Sequence, residues 1–278
     1  MNERDEIPSD ILQDIAYLSR TENRIEVLEK LTEKPRSTRE LREATETSKA
    51  TVNRILNEFE ERSWTRRTSS GTYEATSQAE HIAFQLRAFI GSMEAVAALG
   101  EDIGVLPVDE LTIGPDNDLT VGLHHFNDAT VKRQRPQAQG VGRKRMLEAI
   151  RAASSLNVLT DTAPPRVIGE LLQERAESGD LPGTTVWTAE LFEYLRAHPG
   201  EPPRWSDVIE GGRRLYKYDG PIPATLGVTD QVTLVWGVTG EMRRRVIISE
   251  NETVQMWALS VVERYRERAE AVDPQAFA

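Results

Sequence analysis

The chain of 278 residues has no cysteine, which excludes a disulfide framework and any thiolate metal site. Lysine is also scarce: of 34 basic residues, 28 are Arg and 6 are Lys. Histidine occurs four times, at His81, His124, His125 and His198, and never in a His-Glu-x-x-His or His-x-His spacing. If His124 and His125 lie on a strand they point to opposite faces and cannot chelate one metal. Gly-x-Ser-x-Gly and Gly-Lys-Ser/Thr are missing, and no pair of acids stands out from the general background of carboxylates. These absences predict a protein that is not an enzyme and needs no cofactor or metal. No uninterrupted apolar run approaches the ~20 residues of a membrane helix. The opening Met-Asn-Glu-Arg-Asp-Glu also lacks the apolar core of a signal peptide. The expectation is a cytoplasmic protein with no membrane partner.

What is present is acid. The net charge is −11, and an acidic, lysine-poor surface stays hydrated in concentrated salt; a GC-rich genome leaves the same Arg-over-Lys signature. Both point to a halophilic archaeal origin. The acid is unevenly spread, because residues 34–72 hold nine basic and six acidic side chains.

That basic stretch carries the clearest motif. Ser37-Thr38-Arg39-Glu40 has capping-box spacing and predicts a short helix, ended by the turn-favouring Thr45-Glu46-Thr47. Ser48 then caps a longer helix whose Val52, Ile55, Leu56 and Phe59 form one apolar stripe. Lys49 lies at the edge of that stripe, and Ala50, Asn53, Arg54 and Asn57 point to the other side, side chains suited to base edges and phosphates. Trp64–Thr68 and Thr72–Thr76 flank Ser69-Ser70-Gly71 and read as a hairpin. Helix, turn, longer helix and basic hairpin make a winged helix-turn-helix over residues 1–76. The expected DNA-contacting residues are Thr38, Ser48, Lys49, Ala50, Asn53, Arg54, Asn57, Arg66, Arg67 and Thr72, with double-stranded DNA as the partner. The alternative is a protein-docking module with a solvated hairpin.

Residues 1–20 are expected to form a short amphipathic helix, and Glu22–Leu31 the first helix of the three-helix core, ended by Lys34-Pro35. Ser77-Gln78-Ala79-Glu80 has capping-box spacing and opens a linker helix over 77–100. Its Ile82, Leu86, Phe89, Met93 and Val96 are spaced as a coiled-coil seam. As a dimerisation helix it would set two recognition helices ~34 Å apart in a homodimer; packing on the chain's own second domain is the other option.

Beyond Gly100–Pro107, strands and helices alternate through 101–278. Strands are expected at 119–126, 156–159, 184–187, 214–218, 225–228, 232–238 and 245–249. Helices are expected at 145–153, after Pro164-Pro165, around 191–195 and, as a closing helix, over 253–272. This predicts an α/β class overall, with a three-layer α/β effector domain built on a mixed sheet. Trp187, Trp205, Tyr216 and Trp236 are the candidate walls of a small-molecule site. Arg213-Arg214 and Arg243–Arg245 read as strand-edge charges. Asp116-Asn117-Asp118 reads as a polar turn, and Gly140–Arg145 gives a weak anion-site signal.

With both halves in view the chain resembles archaeal winged-helix regulators that carry a FilR-type (methanogenesis-regulator) middle domain, abundant in haloarchaea. In the first half the resemblance rests on Ser48–Phe59 and the Glu60–Trp64 exit, where many relatives have Gly in place of Ser63. In the second it rests on Pro223, Leu226, Asp230, Val232 and Leu234, then Trp257-Ala258, Tyr265-Arg266 and Ala269. Residues 127–142 do not align with it. Distant likeness to a phospholipase-D-type fold comes without that fold's His-x-Lys, so phosphodiesterase chemistry is not expected. The resemblance implies a sequence-specific DNA-binding transcription regulator whose effector domain senses a small molecule or partner. The other classes are an enzyme domain tethered to DNA and a winged helix used for protein interaction.

Overall fold

The computed structural model describes residues 8–113, 119–133, 141–179, 182–198, 203–239 and 243–277. Asp116–Asp118 and Gly140 lie outside these. The chain divides into two compact units, Met1–Phe89 and Ile90–Ala278.

The first unit opens with α1 (Ser9–Ser19) and α2 (Glu22–Glu33), followed by α3 (Thr38–Ala44) and α4 (Lys49–Glu61). The Ser37/Glu40 capping box forms in both directions, and Ser48 caps α4 through the amide of Thr51. The turn between these helices depends on Glu46, whose φ of 51° is left-handed. Val52, Ile55, Leu56 and Phe59 are buried against Val27, Leu28, Leu31 and Leu41, so the expected stripe is core. The hairpin is β1 (Thr65–Arg67) with β2 (Tyr73–Ala75), and Arg36 adds a bridge to Tyr73 that makes a third, short edge. On α1, Leu18 is buried while Ile11, Leu12 and Ile15 stay exposed. The linker helix α5 (Ser77–Leu99) is capped one residue earlier than its sequence suggests: Thr76 Oγ1 accepts from Ala79 N.

The second unit begins with a small pair, β3 (Thr112–Ile113) and β4 (Leu119–Thr120), then β5 (Thr130–Arg133). There follow α6 (Val141–Ala152), β6 (Leu156–Thr160), α7 (Arg166–Glu177), β7 (Thr184–Thr188), α8 (Ala189–Ala197), α9 (Trp205–Glu210) and β8 (Arg214–Tyr218). The chain closes with β9 (Thr225–Thr229), β10 (Thr233–Thr239), β11 (Arg243–Ser249), α10 (Glu252–Glu267) and β12 (Glu270–Ala271). The eight-stranded sheet runs β12-β8-β7-β6-β9-β10-β11-β5, parallel across β8-β7-β6 and antiparallel elsewhere.

One face of this sheet packs Trp257, Val261 and Val262 of α10 on Leu159, Val186, Leu226 and Val235. The other packs α6–α9 on Leu156, Trp187, Leu215, Leu234 and Ile248. Two covered faces make the expected three-layer mixed α/β unit. The differences are local. The stretch 119–126 is a strand only at its first two residues and then a 3-10 turn, Leu123–Phe126. His124 and His125 therefore do not oppose each other across a strand; their rings stand 4.0 Å apart. Burial and the neighbouring ring hold His125 below the ordinary histidine range. The closing helix stops at Glu267, and α9, β5 and β12 had no period long enough to read.

Candidate nucleic-acid interface and cavity

The face of α4 opposite the core is open. Ser48, Lys49, Ala50, Asn53, Arg54 and Asn57 are all exposed, while Val52, Ile55, Leu56 and Phe59 behind them are at most 1% exposed. The carboxylates of this helix are kept from that face in two ways. Glu60 and Glu61 sit at its far end, and Glu58 turns inward to accept from Tyr17 Oη at 2.5 Å, with Arg24 3.6 Å away. Arg62 reaches Asp14 at 2.9 Å in the same cluster, and burial with the Glu58 contact pushes the Tyr17 phenol well above its usual range.

In the wing, Arg66 and Arg67 are exposed. Arg66 is not a free cation: Nε sits 2.5 Å from Glu74 Oε1 on the facing strand. Arg67 lies over the ring of Tyr73 at 5.9 Å. Thr38, the first residue of α3, is half-buried, and Thr72 is held in the hairpin turn by Thr68 Oγ1 at 2.8 Å. Arg39 and Arg42, exposed on α3 beside this surface, were not among the expected contacts; Arg39 is only loosely paired, 3.9 Å from Glu43. An Arg at each of two positions three apart on a capped helix was the signal available.

The stripe on α5 splits. Ile82 and Leu86 pack against the helical core of the first unit. Phe89, Met93 and Val96 stay in solvent at 62%, 55% and 39% exposure. The stretch Ser77–Val105 is also the one helix among the described residues long and apolar enough to cross a membrane by length and composition. The sequence, interrupted by Glu80, Arg87 and Glu94, had suggested no such segment.

In the second unit a cavity of about 560 Å³ opens on the α6–α9 face of the sheet. Trp187, Trp205 and Trp236 line it. Tyr216, expected with them, does not: strand alternation on β8 sends Leu215 to the cavity side and Tyr216 to the opposite face, where Arg266 stands 5.8 Å from its ring. Trp187 and Trp205 meet edge to face at 4.5 Å. Trp236 lies over Gly227, where a Cβ would come within 2.8 Å of its ring, so glycine is what lets the indole lie down on the sheet. The same alternation corrects the reading of Arg213 as an edge charge. It is 3% exposed, lines the cavity, and donates through Nη2 to Leu156 O at 2.9 Å and Thr185 Oγ1 at 2.8 Å. Arg245 is likewise buried, 2.5 Å from Asp102. Among the described residues no group of three or more His, Asp or Glu could hold a metal ion.

These parts define a winged helix-turn-helix unit joined by a long helix to a doubly covered mixed α/β unit. Residues 12–98 match the sequence model of the HVO_A0261 N-terminal domain, and residues 143–268 match that of the middle domain of the methanogenesis regulatory protein FilR1. The two matches fall in the two halves of the chain that carry the sequence resemblance. No curated protein matches it. Among solved structures, TrmBL2, an archaeal chromatin protein described as showing a novel mode of DNA binding, is similar over 95% of this chain and 100% of its own, at 13% identity and a TM-score of 0.42. The phospholipase D family member Nuc from Salmonella typhimurium is similar over 52% of this chain and 98% of its own, at 16% identity and a TM-score of 0.40.

Proposed function

We propose that this protein is a sequence-specific DNA-binding transcription regulator. In this reading α4 enters the major groove, the wing and α3 hold the flanking phosphates, and the cavity of the α/β unit takes an effector. The observation that carries it is the outward face of α4, where amide, guanidinium and ammonium groups stand exposed and the helix's carboxylates are turned inward or sit at the far end. Asn and Arg on such a face pair with adenine and guanine edges. The regulatory role of the protein that lends the second unit its family name supports the regulator reading.

α5 joins two copies through Phe89, Met93 and Val96, and a homodimer on a two-fold operator follows. Effector binding acts on this assembly by favouring one spacing of the two winged helices over another, a coupling of order 1–3 kcal/mol. The test is binding of full-length protein to a selected operator and to scrambled DNA. Arg54→Ala is expected to weaken operator binding about tenfold or more with little change on scrambled DNA, the mark of a base contact. Arg67→Ala is expected to weaken both alike, and Arg66→Ala less than Arg67→Ala because Glu74 already offsets its charge. Equal losses on both DNAs for Arg54→Ala would remove that residue as a reader.

A further inference from the structure

The floor of the cavity crosses three central strands: Val158 of β6 pairs with Gly227 of β9, and Gly227 with Leu234 of β10. In the middle of a covered sheet apolar groups are ordinarily buried, as Leu156 and Leu234 are. Val158 and Trp236 are not: both keep part of their surface open, the indole lying flat where Gly227 has no side chain. The polar side chains of the wall, in contrast, are already bonded. Arg213 Nη2 donates to Leu156 O at 2.9 Å and Thr185 Oγ1 at 2.8 Å, and the guanidinium is engaged further within the chain. Arg245 is paired with Asp102. Thr160 Oγ1 donates to Thr162 O and accepts from Thr162 N. The hydroxyls of Thr162 and Thr225 both donate to Asp161 Oδ1 at 3.0 Å, which orients this exposed carboxylate at the mouth. Among the described residues no hydrogen bond reaches its other oxygen, Oδ2.

Resting on the reading of this cavity as the effector site, we propose that its ligand is an uncharged, flat apolar molecule that lies on Val158, Gly227 and Trp236 and gives one hydroxyl or N–H to Asp161 Oδ2. Covering the open valine and indole takes apolar surface out of water, which favours an apolar body. A charged group inside would lose its hydration with the wall's own ionic groups already committed to protein partners, so nothing replaces the lost water. At the mouth Asp161 repels an anion, and an ammonium there gains only an exposed, screened pair. A neutral donor costs little to bring to the same oxygen and fixes which end of the ligand faces out. The volume, about 560 Å³, lies within the range of small-molecule sites.

The experiment is equilibrium dialysis of the full-length protein against four probes of one ring system: 2-naphthol, 2-methoxynaphthalene, 2-naphthoate and 2-naphthylmethylammonium. It is run in concentrated KCl, where attraction between exposed charges is screened. 2-Naphthol is expected to bind one per chain, about tenfold or more tighter than either charged probe and about threefold or more tighter than the methyl ether. Asp161→Ala should bring 2-naphthol level with the ether and leave the ether within about twofold of its wild-type affinity. Ala163→Trp, at a half-buried wall position two residues from Asp161, should weaken all binding by filling the space. Should Ala163→Trp fail to fold by circular dichroism, the wild-type ratios and Asp161→Ala decide. A charged probe that binds as tightly as 2-naphthol overturns the uncharged ligand, and an ether that matches 2-naphthol in the wild type overturns the bond to Asp161; both leave the effector reading of the cavity standing. Failure of all four to bind overturns the cavity reading itself, and the inference falls with it.

Discussion

Two residues with left-handed backbone bracket α4. Glu46 in the turn before α4 and Ser63 after it have φ of 51° and 59°. A side chain there crowds the following carbonyl, at about 1–2 kcal/mol per residue, which glycine avoids. Ser63→Gly and Glu46→Gly are each expected to raise the stability of the full-length protein by about 0.5–1 kcal/mol in urea unfolding, the conformational relief exceeding the entropy glycine adds to the unfolded chain. Ser63→Val should lower it. A loss of stability with Ser63→Gly would show that the serine does more than occupy a turn.

Single side chains also mark where the sequence stopped being legible. Ala50, Asn53, Arg54 and Asn57 could be placed on one face because helical period and capping residues agreed. Arg213 was misread because Arg213-Arg214 looks like a surface pair, yet its spacing of two from Leu215 puts it on the buried side of the sheet. The Arg66–Glu74 pair needs the register of the hairpin, which one strand's sequence does not contain. The partners of Glu58 are 34 and 41 residues away in sequence, beyond any local pattern.

At the scale of elements, α3 is held at its start by a carboxylate. Hydrogen bonds from the Ser37 side chain and then its backbone amide keep Glu40 below the ordinary glutamate range. Because the folded carboxyl is the stronger acid, its contribution is complete above the usual glutamate pKa of about 4.3 and disappears as pH falls through the lowered value. Glu40→Gln should therefore destabilise the first unit at pH 6, and the difference from wild type should shrink as pH falls below the usual glutamate value of about 4.3. A difference that does not change with pH would contradict a role for the charge.

The long helix α5 is the second case. Its buried residues, Ala79, Ala83, Gly91, Ala95 and Leu99, are mostly small, while Phe84, Phe89 and Met93 stand in solvent. Large apolar groups left outside mark a surface made for contact. Phe89→Ser with Met93→Ser is expected to turn a dimer into a monomer in light scattering and to lower operator affinity more than tenfold, without loss of helical content. A wild-type protein that is monomeric in detergent-free buffer would sink the pairing. The heptad spacing was readable in sequence; that Ile82 and Leu86 would already be engaged by the helical core was not, because the packing partner comes from α2–α4.

For the whole molecule, charge and cavity have to be read together. A chain at −11 approaches DNA against its own field, and in concentrated salt the counterion contribution to binding is small. For the proposed regulator, affinity would then depend on base contacts and on two copies binding as one, which puts the weight on the outward face of α4 and on α5. The covered sheet was predictable because alternating strands and helices fix a three-layer plan. The cavity was not, since it is formed by what α6, α7 and α9 leave unfilled over β6, β9 and β10. The central claim, that the face of α4 selects sequence, is tested most directly by genome-wide footprinting in the native host at native salt. Strains carrying wild-type protein, Arg54→Ala or neither would be compared. The account predicts discrete two-fold sites with wild-type protein that vanish or scatter with Arg54→Ala at equal protein levels. Sites that are unchanged in position and occupancy with Arg54→Ala, or the absence of any protein-dependent footprint, would contradict it.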